Sequence, residues 1–245
     1  MRRVAALLAL GLMALSVSAT AQQDPPLPPV DYQAAADAWD TPEDNAEIAN
    51  AAADAALAAE ARFADLAQTI GQWRAFHTTA HVNAIMFVPQ EVHAVTWLTD
   101  RPNPTVPVRW QPHSVWTSCD GNVAVTSGGW QHPDQGVGYF TTVWMDSGSD
   151  GWRWIIDHGD NLPAARVAPA QPVRHPASCA NRPALAQAAA ARRAGMTRRH
   201  YVAPDGSIIV EWQVGSRGER ELWVHQWNGA DFVEVIHDMA AAPAQ

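Results

Sequence analysis

Four strand-like runs stand in close succession: Val106–Thr117, Asn122–Gln131, Gly138–Asp146 and Trp152–His158. They are rich in Val, Thr, Trp and Tyr, residues that suit a pleated, half-buried surface. The links between them are short and made of turn residues: Asp120-Gly121, His132-Pro133-Asp134 and Gly148-Ser149-Asp150-Gly151. Strands joined this tightly pair with their sequence neighbours, because a parallel crossover needs a dozen or more residues. The spacing therefore predicts an antiparallel meander, and a meander with an apolar face needs something to cover it.

The cover is predicted upstream. Thr41-Pro42-Glu43-Asp44 has the residues of a helix start: a capping hydroxyl, a proline suited to the first turn, and acids at the positive end. From there Ile48, Ala52, Ala55, Ala56, Ala59, Phe63, Leu66, Ala67 and Ile70 recur at helical spacing until Gly71. Trp73 and Phe76 mark a short second helix. Ala84–Val88 reads as a strand stopped by Pro89, and Glu91–Leu98 as a third short helix. The fold class expected is α+β, with helices packed on an antiparallel sheet over residues 41–162. A Pro- and Ala-rich link with a helix at Ala184–Arg193 spans 163–197, and an antiparallel module, 198–245, ends the chain. Its Asn228-Gly229 predicts a two-residue hairpin turn pairing His225 with Phe232. That register puts Leu222, Val224, Val233 and Val235 on one face and Trp223, Trp227 and Phe232 on the other.

The first 21 residues read as an export signal. Arg2 and Arg3 precede an apolar run, Val4–Val17, and Ala19-Thr20-Ala21 supplies small residues before a cleavage site between Ala21 and Gln22. The run is shorter than the roughly 20 residues a bilayer span takes, and no later stretch is apolar enough to cross, so no membrane span is expected after signal removal. Residues 22–40, with four prolines, read as a stiff linker. The expected location is periplasmic or secreted. An oxidising compartment and a total of two cysteines predict a Cys119–Cys179 disulfide. With 25 acidic against 16 basic residues, all of them Arg, the net charge of −9 argues against a nucleic-acid partner. No phosphate-binding glycine loop, dinucleotide fingerprint or Gly-x-Ser-x-Gly is present, and no cofactor is implied. His77 and His81 are four apart, but no Glu accompanies them as in a zinc-protease helix, and no metal site is expected.

Several blocks carry a resemblance: Phe63-Ala64-Asp65-Leu66, Ala84-Ile85-Met86-Phe87-Val88-Pro89, Ser118-Cys119-Asp120-Gly121, Gly138–Trp144 and Trp152–Gly159. Over about residues 44–162 the chain resembles the nuclear transport factor 2-like superfamily, which includes ketosteroid isomerase and SnoaL-type cyclases, and within it an uncharacterised secreted branch. The resemblance implies helices against a strongly curved sheet, forming a cone with a pocket. It implies no single chemistry, because this fold serves enzymes, binders and assembly modules. The Tyr with two Asp used by the isomerase has no counterpart that can be placed on these strands, so isomerase chemistry does not carry over.

Pairing Met145 with Trp152 would place Tyr139, Thr141, Val143 and Met145 on one face with Trp152, Trp154, Ile156 and His158. This more apolar face is expected to meet the helices. The other face would hold Phe140, Trp144, Arg153, Ile155 and Asp157, and a regular strand keeps Asp157 and His158 out of one pocket. Tyr139, Trp154 and His158 are thus the expected ligand-binding residues. The leading function is non-catalytic binding of a small, largely apolar molecule. The alternatives are an isomerase, cyclase or hydratase using His158 as acid–base, and an envelope assembly or interaction module in which the final hairpin carries the contact; the resemblance also implies a homo-oligomer, formed through the open sheet face.

Overall fold

The computed structural model describes residues 42–182 and 199–243. The signal segment, the Pro-rich linker, Thr41 and the 184–193 helix of the sequence reading lie outside them. Helix α1 spans Pro42–Thr69, α2 Gln72–Thr79 and α3 Ala94–Leu98. Ala49, Ala52, Ala53, Ala56, Glu60, Phe63 and Ala67 of α1 are buried, a stripe at helical spacing. Its small residues let the helix sit close to the sheet. Gly71 then takes φ 97°, a left-handed geometry that turns the chain between α1 and α2. No helix among the described residues is long and apolar enough to cross a membrane.

Strands β1 (Ala80–Phe87), β2 (Glu91–His93), β3 (Arg109–Thr117), β4 (Val123–His132), β5 (Gly136–Asp146), β6 (Trp152–Leu162) and β7 (Val173–Pro176) form one sheet in the order β2-β1-β6-β5-β4-β3-β7. The meander β3 to β6 is antiparallel as expected. The sheet as a whole is mixed, because β1 joins β6 and β7 joins β3 in parallel. Strands β8 (Arg199–Val202), β9 (Ile208–Val214), β10 (Arg220–Trp227) and β11 (Phe232–Ala240) make a second, antiparallel sheet in the order β11-β10-β9-β8. The predicted helix over Glu91–Leu98 is in fact β2 followed by α3. His77 ends up on α2 and His81 on β1, so they share no helix face. Among the described residues no group of His, Cys, Asp and Glu could hold a metal.

The large sheet is covered on both faces. Phe63, Phe76, Ala84, Met86, Trp144 and Trp154 belong to a core shared with the helices. Val123, Val125, Val143 and Ile156 belong to a second core with Ile208, Val210, Leu222, Val224 and Ile236 of the smaller sheet. The C-terminal strands are therefore a packed third layer. Cys119 and Cys179 form a disulfide that closes this arrangement at one end. Around it, the amide of Ala177 donates to the Thr117 carbonyl (2.9 Å) and that of Ser178 to the Trp227 carbonyl (3.0 Å), so one segment is tied to both sheets.

Two expected registers are corrected. Asp146 faces Trp152 and Trp144 faces Trp154; a bulge follows, and Val143 then faces Ile156 and Thr141 faces His158. A bulge inserts one residue and reverses the side that later residues face. Trp154 thus points with Trp144 to the helices, while the Tyr139, Thr141, Val143, Ile156 and His158 face, expected to meet the helices, meets the smaller sheet. In the last hairpin Trp227 pairs with Phe232 and His225 with Glu234. The Asn228 side chain accepts from the amides of Ala230 and Asp231 (both 2.9 Å), holding a four-residue loop in place of the two-residue turn. A second bulge, after Val224, puts Ile236 opposite it, and Ile236 is buried where Val233 is 43% exposed.

Candidate functional site

A pocket of about 210 Å³, open to solvent, lies between the helices and the large sheet. Phe63 of α1, Trp73 and Phe76 of α2, Trp110 of β3, Trp130 of β4 and Phe140 of β5 supply an aromatic wall. Phe63 packs edge-on against Phe76 and Trp110, with centroids 4.6 and 4.8 Å apart. Gly138 helps set the wall: a Cβ there would lie 2.2 Å from the Trp130 ring, so only glycine lets that indole lie across β5.

Five polar side chains interrupt this wall: Gln72, Tyr139, Thr142, Asp157 and His158. Asp157 Oδ2 accepts a hydrogen bond from Thr142 Oγ1 (2.9 Å) on the paired strand. The Asp157 residue is half-buried and lines the pocket. Removal from water disfavours the carboxylate, and the nearby acid Glu60 adds to the effect; the Thr142 bond only partly offsets them. The carboxyl is pushed up to about 7. Glu60 lies behind the wall, fully buried. It accepts from Trp110 Nε1 (2.6 Å), Thr126 Oγ1 (2.6 Å) and Trp144 Nε1 (3.0 Å), and its pKa too is raised by burial. It fixes two of the tryptophans that shape this layer.

His158 is 1% exposed, and neither ring nitrogen has a hydrogen-bond partner among the described residues. It lies edge-on to Phe87 (5.4 Å) and near Tyr139 (5.9 Å). Burial, and then the Arg220 charge, push it down to about 3, so the imidazole is neutral. The Tyr139 hydroxyl donates to the Met239 carbonyl (3.1 Å), and burial beside Asp238 and Asp160 raises its pKa.

Of the three expected ligand-binding residues, Tyr139 and His158 line the pocket. Trp154 does not: it is fully buried in the helix-side core, its Nε1 donating to the Phe76 carbonyl (3.1 Å) and Thr79 Oγ1 (3.0 Å). Asp157 and His158, which a regular strand would separate, reach the same pocket. β1 pairs with β6 only as far as Asp157, and beyond that point Phe87, Val88 and Gly159 line the pocket together with His158. The sequence reading places Asp157 on the face away from the pocket and does not single out Thr142 or Gln72. The available signal is an acid directly after the apolar segment Trp154–Ile156, on the face with Phe140.

No protein-family model and no curated protein matches the chain. A solved structure similar to it is a nuclear transport factor 2 (NTF2-like) superfamily protein from Salmonella enterica subsp. enterica serovar Typhimurium str. LT2. It is 14% identical, with a TM-score of 0.30, over 52% of this chain and 96% of that one. At those values no functional property passes between the two.

Proposed function

We propose that the protein binds a small, largely apolar molecule between its helices and large sheet, with Asp157 as the polar anchor. The observation that carries this is an aromatic-walled pocket with the Asp157 carboxyl, hydrogen-bonded to Thr142, on its wall. Pockets of this kind draw affinity from apolar burial, about 2.5 kcal/mol per 100 Å², and orientation from a few polar groups. A ligand hydroxyl or carbonyl suits Asp157, which donates when protonated and accepts when ionised.

The reading extends to origin. The charged start, apolar run and small-residue site support export with cleavage before Gln22, and the disulfide suits an oxidising compartment. The strongly curved cone, and membership of the secreted nuclear transport factor 2-like branch, belong to the same proposal and rest on the sequence blocks above. Mass spectrometry under native conditions, on protein extracted from the envelope of its own host, tests both parts. The expected result is a chain starting at Gln22 that carries a small apolar compound. An intact chain in the cytoplasm contradicts export, and a compound-free chain that stays so in host extract contradicts the binding role.

A second reading has its own observation. A carboxyl near 7 is poised for proton transfer at neutral pH, which fits an isomerase, cyclase or hydratase. The acid–base residue of that reading is Asp157; His158, held near 3, accepts a proton poorly. Turnover lost in Asp157→Asn and kept in His158→Leu would distinguish it.

A further inference from the structure

On the opposite face of the large sheet lies a second hollow, also of about 210 Å³, with a different chemistry. Arg109 and Gln131 face one another across β3 and β4, and Gln111 faces Gly129. A register shift between Pro112 and Ser114 makes room for His113 as an extra residue and brings it over Gly129. A Cβ at position 129 would sit 3.3 Å from the His113 ring, so glycine forms an open floor. Arg166, from the segment after β6, closes the hollow. That guanidinium is held in place: Nη1 donates to Ser127 Oγ (3.2 Å), Nη2 to Asp238 Oδ1 (3.3 Å), and the group lies over the Tyr139 ring at 4.7 Å.

No Asp or Glu lines this hollow. Asp238 takes one edge of Arg166 from behind and itself accepts from Thr141 (2.6 Å). Among the described residues, Arg109, Gln111, His113 and Gln131 have no side-chain hydrogen bond or ion pair. A chain of net charge −9 has thus gathered two guanidiniums, an imidazole and two amides round a glycine floor. Guanidinium forks match the oxygens of carboxylate and phosphate.

We propose that this hollow binds a small oxyanion, a carboxylate or a phosphate, with Arg109 and Arg166 as its charged partners and His113, Gln111 and Gln131 as hydrogen-bond donors. Calorimetric titration of the full chain with inorganic phosphate and, separately, with acetate tests this. The expected result is saturable binding of at least one. Phosphate alone assigns a phosphate ligand, acetate alone a carboxylate, and both assign their shared chemistry. Arg109 is exposed, so Arg109→Ala should fold normally and weaken binding by about tenfold or more. Gly129→Leu, which fills the floor, should abolish it. No saturable binding of either anion, or equal binding by the parent and Arg109→Ala, would overturn the proposal.

Discussion

Asp157 and His158 are neighbours on β6, and burial moves their titrations in opposite senses. Asp157 is raised from 3.8 to about 7. The folded chain keeps a proton that the unfolded chain releases, so the stability from this group is complete below pH 3.8 and is lost as pH rises through about 7. Asp157→Asn cannot titrate, and its unfolding free energy in urea should decline less than that of the parent between about pH 4 and about pH 8. An identical decline would mean that the carboxyl is solvated. His158 is lowered from 6.5 to about 3, so its stability is present above pH 6.5 and is lost as pH falls through about 3. His158→Leu removes that acid loss and two buried, unpartnered nitrogens. It should match the parent or exceed it by about 1 kcal/mol at neutral pH, with a larger margin in acid. A variant less stable in acid than the parent would show that the imidazole has a partner in solution.

At the scale of elements, the bridge between the ends of β3 and β7 carries the largest single prediction. It closes a separation of 60 residues, and the loop-entropy relation gives about 4 kcal/mol for that length. Cys119→Ser with Cys179→Ser should lower unfolding stability by that order, and the denatured, unreduced parent should show no free thiol. Two free thiols per chain would contradict the bridge. The same elements show what the sequence encodes plainly. Asp120-Gly121 and His132-Pro133-Asp134 mark their turns because glycine, proline and short polar side chains act locally. The total of two cysteines, behind a segment that reads as an export signal, sufficed to predict the disulfide. The bulge between Trp154 and Ile156 was not legible. It is made by packing on both faces of the sheet, and no local residue type requires it. It moves Trp154 onto the helix-side face beside Trp144, while Asp157 stays on the face with Phe140, the one that meets the helices. The parallel partners β1 and β7 were missed for a related reason: both pairings are between segments distant in sequence, which turn residues do not specify.

For the whole molecule, one sheet serves two layers. The helices cover one face and leave an aromatic hollow; the four C-terminal strands cover the other, and the disulfide-bonded segment fastens both. Two hollows of opposite character lie on the two faces, one aromatic with a half-buried carboxyl on its wall, the other cationic. The central claim is that the aromatic hollow is a binding site. Titration with 4-methylphenol, a small aromatic carrying one hydroxyl, tests it most directly when followed through the indole N–H resonances of Trp73, Trp110 and Trp130. The account predicts saturable shifts at these signals, with a dissociation constant of about 0.1–1 mM for so small a probe. It also predicts that Val108→Trp, which fills the pocket, removes them, whereas Arg109→Ala on the opposite face leaves them intact. Absence of saturable shifts, or shifts that persist unchanged in Val108→Trp, would contradict it.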